Sequence, residues 1–474
     1  MTLRRSVCAL DCPDTCSLQI GVAGDRVVSL HGDAAHPITQ GFACVKTAKY
    51  PERQQSPDRL LFPQRRIGTK GEGRFEHCSW EDALDAIATR LSTVLDQTGP
   101  RSLLPFCYGG TLGQIESGQP LAFFRALGAI EQDQTMCATT GGAGWERAYG
   151  PDKLGTAPED VPHAGLVLLW GINAARSNSH LMPWLKAARK NGAAIVHIDP
   201  YRNETSRFAD WNLQPKVGTD AALALGIARE LIRRDAIDDD FIGRHGEGFD
   251  EYQQACQEWT PEKVCAFCDI STVSFRQLVD QINQSPPLYL RVGYGMTRNE
   301  GGGNAMHAVA LLPALTGAWK HRGGGGNLST SGAFPWNRQR TAGRHLIRSG
   351  VRHVNQNQLG NELNRTDDPI AAMVVFNSNP AVVTPDSAAV RRGLQREDLF
   401  TVVLDHFQTD TSDYADFLLP ATTFLEHPDL YGAYGHYHVQ WAEPVVTARG
   451  EARPNTWVFA QLAKRLGLDD PTLY

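Results

Sequence analysis

The sequence predicts a multidomain α/β protein: a small N-terminal domain held together by a ligand, followed by two pseudo-symmetric, doubly wound, Rossmann-like domains with mostly parallel sheets. Three observations carry this prediction. Cysteine crowds the first 62 residues, a rhythm of strand, glycine-rich turn and helix runs from Leu103 onward, and one stretch of that rhythm occurs twice with the same polar residues at the same offsets.

The N-terminal stretch is rich in Cys, Asp and Pro, with short alternating strands expected at 18–22 and 26–30. A helical period follows over 79–95, with Ser79 as N-cap and Asp82 in the capping-box position that Glu usually fills. In the first copy of the repeat, a strand at 165–170 runs into Gly171-Ile-Asn173, and a helical crossover leads to a strand at 194–198 that ends on Asp199. The second copy runs from 373–376 into Asn377-Ser-Asn379, then to 401–404 and Asp405. Both Asn-to-Asp separations are 26 residues, Thr205 and Thr411 follow their Asp by six, and Ala209-Asp210 matches Ala415-Asp416. Generic doubly wound segments share a rhythm but need not share polar residues, so the repeat reads as duplicated function. Open α/β sheets bind nucleotides at the carboxyl ends of their strands, where a carboxylate accepts hydrogen bonds from a ribose or a guanine edge. Two copies therefore predict two similar nucleotide-bearing ligands.

Composition narrows the partners. The chain has 474 residues, 42% of them apolar and 21% charged, and a net charge of −6. This excludes a disordered chain and supplies no basic face for nucleic acid. A small-molecule substrate or a protein partner is expected instead. The apolar stretches at 164–171 and 305–319 are too short for a bilayer or are interrupted by His307 and Pro313, so no membrane span is expected. No apolar region follows Arg4 and Arg5 before the first cysteine, so the expected location is cytoplasmic. Ten cysteines in a reducing compartment point to metal binding or chemistry rather than to disulfides.

Four of those cysteines form the spacing Cys8-x3-Cys12-x3-Cys16-x27-Cys44. Four thiolates suit either an iron–sulfur cluster or a structural zinc. Lys46, two residues beyond the last of them, places a cation where it would bridge a cluster to an anionic cofactor. Cys256, Cys265 and Cys268 offer only three thiols in an amphipathic helical stretch and read as structural, and Cys78 and Cys107 carry no signal.

The run Cys-Ala-Leu-Asp-Cys-Pro-Asp-Thr-Cys16, then Gly41-Phe-Ala-Cys-Val-Lys46 and Ser56-Pro-Asp-Arg-Leu60, resembles the start of catalytic subunits of the molybdopterin oxidoreductase family, the dimethyl sulfoxide reductase superfamily. Leu169-Trp-Gly-Ile-Asn173, Ile198-Asp-Pro200, Gly218-Thr-Asp220, the glycine run 323–327, Asn379-Pro380 and the segment 415–426 are similar to it as well, in the same order. The resemblance implies a [4Fe–4S] cluster on Cys8, Cys12, Cys16 and Cys44, beside molybdenum or tungsten carried by two molybdopterin guanine dinucleotides. One dinucleotide would lie at Gly171, Asn173 and Asp199, extended by Arg202, Gly218, Thr219, Asp220, Gly293 and Gly295. The other would lie at Asn377, Asn379 and Asp405. The implied division assigns 1–62 to the cluster domain, completed by about 426–474, then 137–332 to the first dinucleotide domain and 63–136 plus 333–425 to the second.

The family usually supplies one protein ligand to the metal, just after a helix at this depth, and Cys137 in Thr135-Met-Cys-Ala-Thr-Thr-Gly-Gly142 fits that position. Catalysis would then rest on Cys137 and Lys46, with electrons handed to a protein partner. Formate-oxidising relatives carry a His after the ligand and an Arg after the glycine run; here stand Ala138 and Leu328-Ser-Thr330, which disfavours formate. His307, Arg298, Trp336, Arg338 and the run 431–441 are funnel candidates, expected to be structural more often than catalytic. Two other functions compete. One is a non-catalytic electron-transfer or scaffold subunit, or an inactive fragment, against which Cys137 and both half-sites argue. The other is a non-redox hydratase on the same cofactor, as in the tungsten enzyme acetylene hydratase, with Asp11 or Asp14 as its acid. Family members normally continue past a helix expected at 456–466 into a domain that caps both dinucleotides, so a cap on a separate subunit or a truncated gene is expected.

Overall fold

The computed structural model describes residues 1–474. Three antiparallel strands, Thr2–Val7, Ser17–Ala23 and Arg26–Gly32, form the N-terminal sheet. Its apolar face, Leu18, Ile20, Val27 and Leu30, packs on Phe424, Leu425, Tyr431, Ala442, Val445 and Val446 from the far end of the chain. The expected completion of this domain by 426–474 is therefore corrected to a split. Residues 424–446 join the N-terminal core, whereas the helix Asn455–Arg465 leaves it, because its stripe of Val458, Phe459, Leu462 and Ala463 meets Phe376 of the second parallel sheet and Phe123 and Phe124 of the helix Gln114–Leu127 that covers it. The Phe459 ring lies 5.2 Å from Phe124 and 5.3 Å from Phe376.

Two parallel sheets carry the repeat. The first has the order Trp211–Leu213, Ala194–Ile198, Leu166–Trp170, Leu288–Val292, Gly325–Asn327. The second has Phe417–Pro420, Phe400–Asp405, Ala372–Phe376, Leu103–Phe106, with two short antiparallel strands, Gln64–Arg66 and Phe75–His77, added beyond Phe417–Pro420. Leu166 pairs with Ala194 and Ala372 with Phe400; Trp211 pairs with Val196 and Phe417 with Val402. Every one of these positions maps onto its counterpart by the same shift of 206 residues. The copies differ in where the neighbouring strand comes from: Leu288–Val292 follows its unit in the chain, whereas Leu103–Phe106 precedes it.

Both faces of each sheet are covered, so the central strands read as continuous apolar runs. The crossover helix Leu181–Lys190 buries Leu181, Leu185 and Ala188, spaced by helical turns, against Val167, Leu169 and Ile195. The opposite face receives Leu223, Ile227, Leu231, Leu278 and Val309. Each such leucine contributes roughly 1.5–3 kcal/mol. Cys256, Cys265 and Cys268 lie in this same core.

Ser79 caps the helix Trp80–Thr98 by accepting from Asp82 N at 3.0 Å, but the reciprocal half of the box takes another form. Asp82 is one methylene shorter than Glu and receives the Ser79 hydroxyl itself, at 2.7 Å. Arg59 and Glu426, from two motifs quoted above, meet in a fully buried ion pair at 2.7 Å that locks the N-terminal segment to the second sheet. No helix is long and apolar enough to cross a membrane.

Candidate functional site

The two crevices at the strand ends have a common frame. Thr205 Oγ1 donates to Asn173 Oδ1 at 2.9 Å and accepts from Ala175 N at 3.0 Å. Thr411 Oγ1 donates to Asn379 Oδ1 at 2.6 Å and accepts from Ala381 N at 3.0 Å. Asp210 Oδ2 accepts from Ile195 N, and Asp416 Oδ2 from Thr401 N, both at 2.7 Å. These bonds give the shared polar offsets a structural cause that the sequence reading, which attributed them to ligand binding, did not foresee. The chain must satisfy the backbone where it leaves one strand and re-enters the next, and it does so in the same way twice. Gly171 and Asn377, again 206 apart, both take the left-handed conformation, with φ of 62° and 52°.

The two aspartates remain as groups with an oxygen to spare. Asp199 Oδ1 accepts from Tyr201 N at 3.2 Å, and Asp405 Oδ1 from His406 N at 2.6 Å. Burial raises both carboxyls; Asp405 is pushed up to about 6, against the pull of the His406 and Phe407 amides and Arg53. Buried polar atoms without partners adjoin both crevices: Asn299 Oδ1 near Gly218 in the first, and Ser378 Oγ between Asn377 and Asn379 in the second. An unmet buried acceptor or hydroxyl suits a polar ligand, so the residues present fit a nucleotide at each crevice.

The remaining first-site candidates are closely packed. A Cβ at Gly293 would stand 2.4 Å from Gly171 O, and one at Gly295 2.9 Å from the same oxygen, so only glycine permits that approach. Thr219 Oγ1 donates to Lys216 O at 2.7 Å, and Asp220 Oδ1 accepts from Trp170 Nε1 at 2.7 Å. Gly218 has φ 81° and turns the chain into the helix that Asp220 begins. Arg202 is exposed.

Cys8 and Cys16 are buried, while Cys12 and Cys44 are half-buried. The backbone bond from Cys8 N to Cys16 O closes the loop, and Thr47 Oγ1 lies 3.2 Å from Cys8 Sγ and 3.6 Å from Cys44 Sγ. Burial and the mutual repulsion of neighbouring thiolates raise Cys8, Cys12 and Cys16. The four are thus close enough to feel one another, yet no three His, Cys, Asp or Glu groups converge on one ion position. That spread suits a multi-iron cluster better than a single zinc.

The first repeat docks onto this loop through residues that sequence reasoning missed. Ser177 O faces Cys12 Sγ at 3.6 Å, and His180 Nδ1 lies 3.1 Å from Asp14 Oδ2 and 3.6 Å from Cys16 Sγ. Asn178 donates to Asp14 Oδ1 at 2.6 Å and accepts from Arg291 Nε at 3.0 Å. Burial alone would raise the Asp14 carboxyl, but the hydrogen bonds and charge of His180 hold it below the usual range.

Cys137, 7% exposed, is the N-cap of the helix Ala138–Tyr149 and follows the short strand Glu131–Asp133, not a helix as expected. The Tyr108 hydroxyl lies 2.9 Å from its sulfur, and Thr297 Oγ1 donates to its carbonyl at 3.2 Å. Asp11 stands beside this pair. Burial raises its carboxyl, while the Tyr434 hydroxyl, donating at 3.0 Å, and the charges of Arg298 and Lys46 oppose the rise. Lys46 and the Tyr108–Cys137 pair thus lie within electrostatic reach of the same carboxylate, Asp11.

Among the funnel candidates, Trp336 packs on Phe334, Arg338 donates to Gln114 Oε1 at 3.0 Å, and His307 is half-buried near Arg147. The run 431–441 largely braces the cysteine loop: Tyr434 holds Asp11, His436 Nε2 donates to Asp14 O at 2.7 Å, and Gln440 donates to Thr15 O at 2.7 Å.

Comparison with known proteins is consistent with this geometry. A model of the molybdopterin oxidoreductase family matches residues 59–465, and one of the molybdopterin oxidoreductase Fe4S4 domain matches residues 1–56. A Bacillus subtilis protein named "Probable oxidoreductase YoaE" is 39% identical over 471 residues, which is 99% of this chain and 69% of that protein. A nitrate reductase of Symbiobacterium thermophilum is 27% identical, over 98% of this chain and 66% of its own. The structure of acetylene hydratase from Pelobacter acetylenicus superposes with a TM-score of 0.82 at 22% identity, over 98% of this chain and 69% of that one.

Proposed function

The chain belongs to the molybdopterin oxidoreductase family, and from that premise we propose that it is the catalytic subunit of a molybdenum or tungsten enzyme carrying two molybdopterin guanine dinucleotides and a [4Fe–4S] cluster. The supporting observation is the group of Cys137, Tyr108, Asp11 and Lys46, which adjoins the cysteine loop. When bound, the metal with its pterins would supply two-electron exchange with a small substrate, and the cluster one-electron exchange with a protein partner.

The protein's own share is to hold and to orient. Cys8, Cys12, Cys16 and Cys44 would hold the iron, and Cys137 would hold the metal. Gly171, Asn173 and Asp199 would receive one dinucleotide, with Gly218, Thr219, Asp220, Gly293 and Gly295 shaping its bed and Arg202 available to its phosphates. Asn377, Asn379 and Asp405 would receive the other. Lys46 would lie as a cation between cluster and pterin. Ala138 and Leu328-Ser-Thr330, where formate enzymes carry His and Arg, leave formate disfavoured. Metal analysis tests this reading: about four irons and one molybdenum or tungsten per chain are expected, and iron without either metal under anaerobic assembly would refute it.

Asp11 favours one second reading, a hydratase on the same cofactor. Of the two acids considered, Asp14 is committed to His180 and Asn178, whereas Asp11 keeps one oxygen clear of Tyr434 beside Tyr108 and Cys137. Turnover without any electron acceptor would establish the hydratase and exclude the redox reaction.

A further inference from the structure

Tyr108 opens the loop Tyr108-Gly-Gly-Thr-Leu-Gly113, between the strand Leu103–Phe106 and the helix Gln114–Leu127. Nothing in its local sequence marks it, yet its hydroxyl is 2.9 Å from Cys137 Sγ. A sulfur bound to a metal carries no proton, so in the loaded protein the hydroxyl must be the donor. The same oxygen faces the Ala138 N–H, the first free amide of the helix that Cys137 begins, without closing a second hydrogen bond to it. One phenol thus grips the sulfur and stands against the start of the helix that carries it.

The loop is held in this position from several sides. A Cβ at Gly110 would stand 2.3 Å from Asn377 O, and one at Gly113 would overlap Asp429 Oδ2, so the loop lies directly on the second crevice. Leu112 N donates to Ala9 O at 2.9 Å and ties it to the cysteine loop, and Ile115 N donates to Asp429 Oδ1 at 2.9 Å. From the other side, Thr297 holds the Cys137 carbonyl. The sulfur is therefore fixed between two elements that are themselves pinned.

We propose that Tyr108 is a positioning residue for the metal: through its hydrogen bond it fixes the direction of the Cys137 sulfur and draws electron density from it, so that the metal is easier to reduce. The proposal rests on the reading of Cys137 as the metal ligand. Hydrogen bonds to ligand atoms orient them and tune the potential of the centre they hold, and a donor to a thiolate favours the more electron-rich state. A phenol that merely satisfied its own hydroxyl would leave that potential alone.

The test compares wild type, Tyr108→Phe and Cys137→Ser as metal-loaded proteins, with metal content measured and the metal's paramagnetic signal followed by electron paramagnetic resonance during a redox titration. Tyr108→Phe is expected to keep its metal, to shift the midpoint to lower potential and to alter the signal. Cys137→Ser is expected to change the signal outright. If Cys137→Ser leaves the wild-type signal, the ligand reading fails, and the proposal with it. If Cys137→Ser changes the signal while Tyr108→Phe leaves both signal and midpoint as in wild type, the Tyr108 proposal alone fails. Should Tyr108→Phe not load metal, backbone hydrogen exchange over residues 137–141 of the cofactor-free chain decides. Exchange roughly fivefold faster than wild type, the factor for one hydrogen bond of about 1 kcal/mol, supports the grip, and an unchanged rate overturns it.

Discussion

The two copies of the repeat share their strand pairing, their left-handed turn and their Asn–Thr and Asp bonds, and then part company at the entry to the crossover helix. In the first copy that entry is His180, which makes no cap bond to its own helix and turns instead to Asp14 on the cysteine loop. In the second copy the position is Asp386, which accepts from Ala389 N at 3.1 Å and caps the helix Ser387–Leu394. The first copy lacks a cap worth about 0.5–2 kcal/mol and has a dock on the cluster side in its place. The second has kept the cap and faces the loop of Tyr108 and a pair of buried acids. Duplication preserved the frame, and the two copies diverged where each meets a neighbour.

The largest way to break this comparison is to remove the acid at each entry. Asp14→Ala should cost about 3–5 kcal/mol, because it strands the buried His180 and the Asn178 amide, and should lower iron content. Asp386→Ala should cost only its cap, about 0.5–2 kcal/mol, and leave iron unchanged. Thermal unfolding with iron analysis checks both, and equal iron loss in the two variants would contradict the assignment of the dock to the first copy.

A second contrast concerns pH. Beside the second copy, burial raises Glu116 to about 7 and Asp429 to about 6. A carboxyl raised in the folded state binds its proton more tightly there than in the unfolded chain, so its contribution to stability is present below about 4.5 and is lost as pH rises toward 7. In the first copy, the Asn173 amide and Arg176 hold the half-buried Glu204 down to about 2, so its contribution is lost only as pH falls below about 4.5. Glu116→Gln should therefore stabilise the chain at pH 8, by on the order of 2–3 kcal/mol, and do little at pH 4. Chemical denaturation at the two pH values reads this difference.

The smallest expected difference is between the frames themselves. Thr205→Val leaves the Ala175 amide and the Asn173 oxygen unpaired, whereas Thr411→Val leaves only the Ala381 amide so, because Asn379 Oδ1 also accepts from Thr411 N at 3.2 Å. Each should cost about 1–3 kcal/mol, Thr205→Val slightly more. A large gap between them in urea denaturation would show that one frame bond matters more than the shared geometry implies.

These contrasts also mark what was legible in the sequence. Strands, crossover helices and the four-cysteine loop could be read because each rests on local periodicity or on closely spaced residues. Tyr108 and Cys137 are 29 positions apart, and Asp14 and His180 are 166 apart, so their pairing is set by tertiary approach alone. The polar offsets of the repeat were visible, but their structural share was not, since Asn, Thr and Asp satisfy buried backbone with the same kinds of atoms that would bind a nucleotide. Arg291 illustrates the same limit. In a continuous apolar strand it looks like an error of pattern, until Asn178 and the carbonyls of Asn327 and Leu328 arrive from elsewhere to receive it.

The duplicated crevices are tested most directly by counting nucleotides. Guanosine monophosphate released from the metal-loaded protein by acid hydrolysis, quantified against molybdenum or tungsten, should amount to two per metal in wild type. One per metal, or none, would contradict the assignment of a dinucleotide to each crevice.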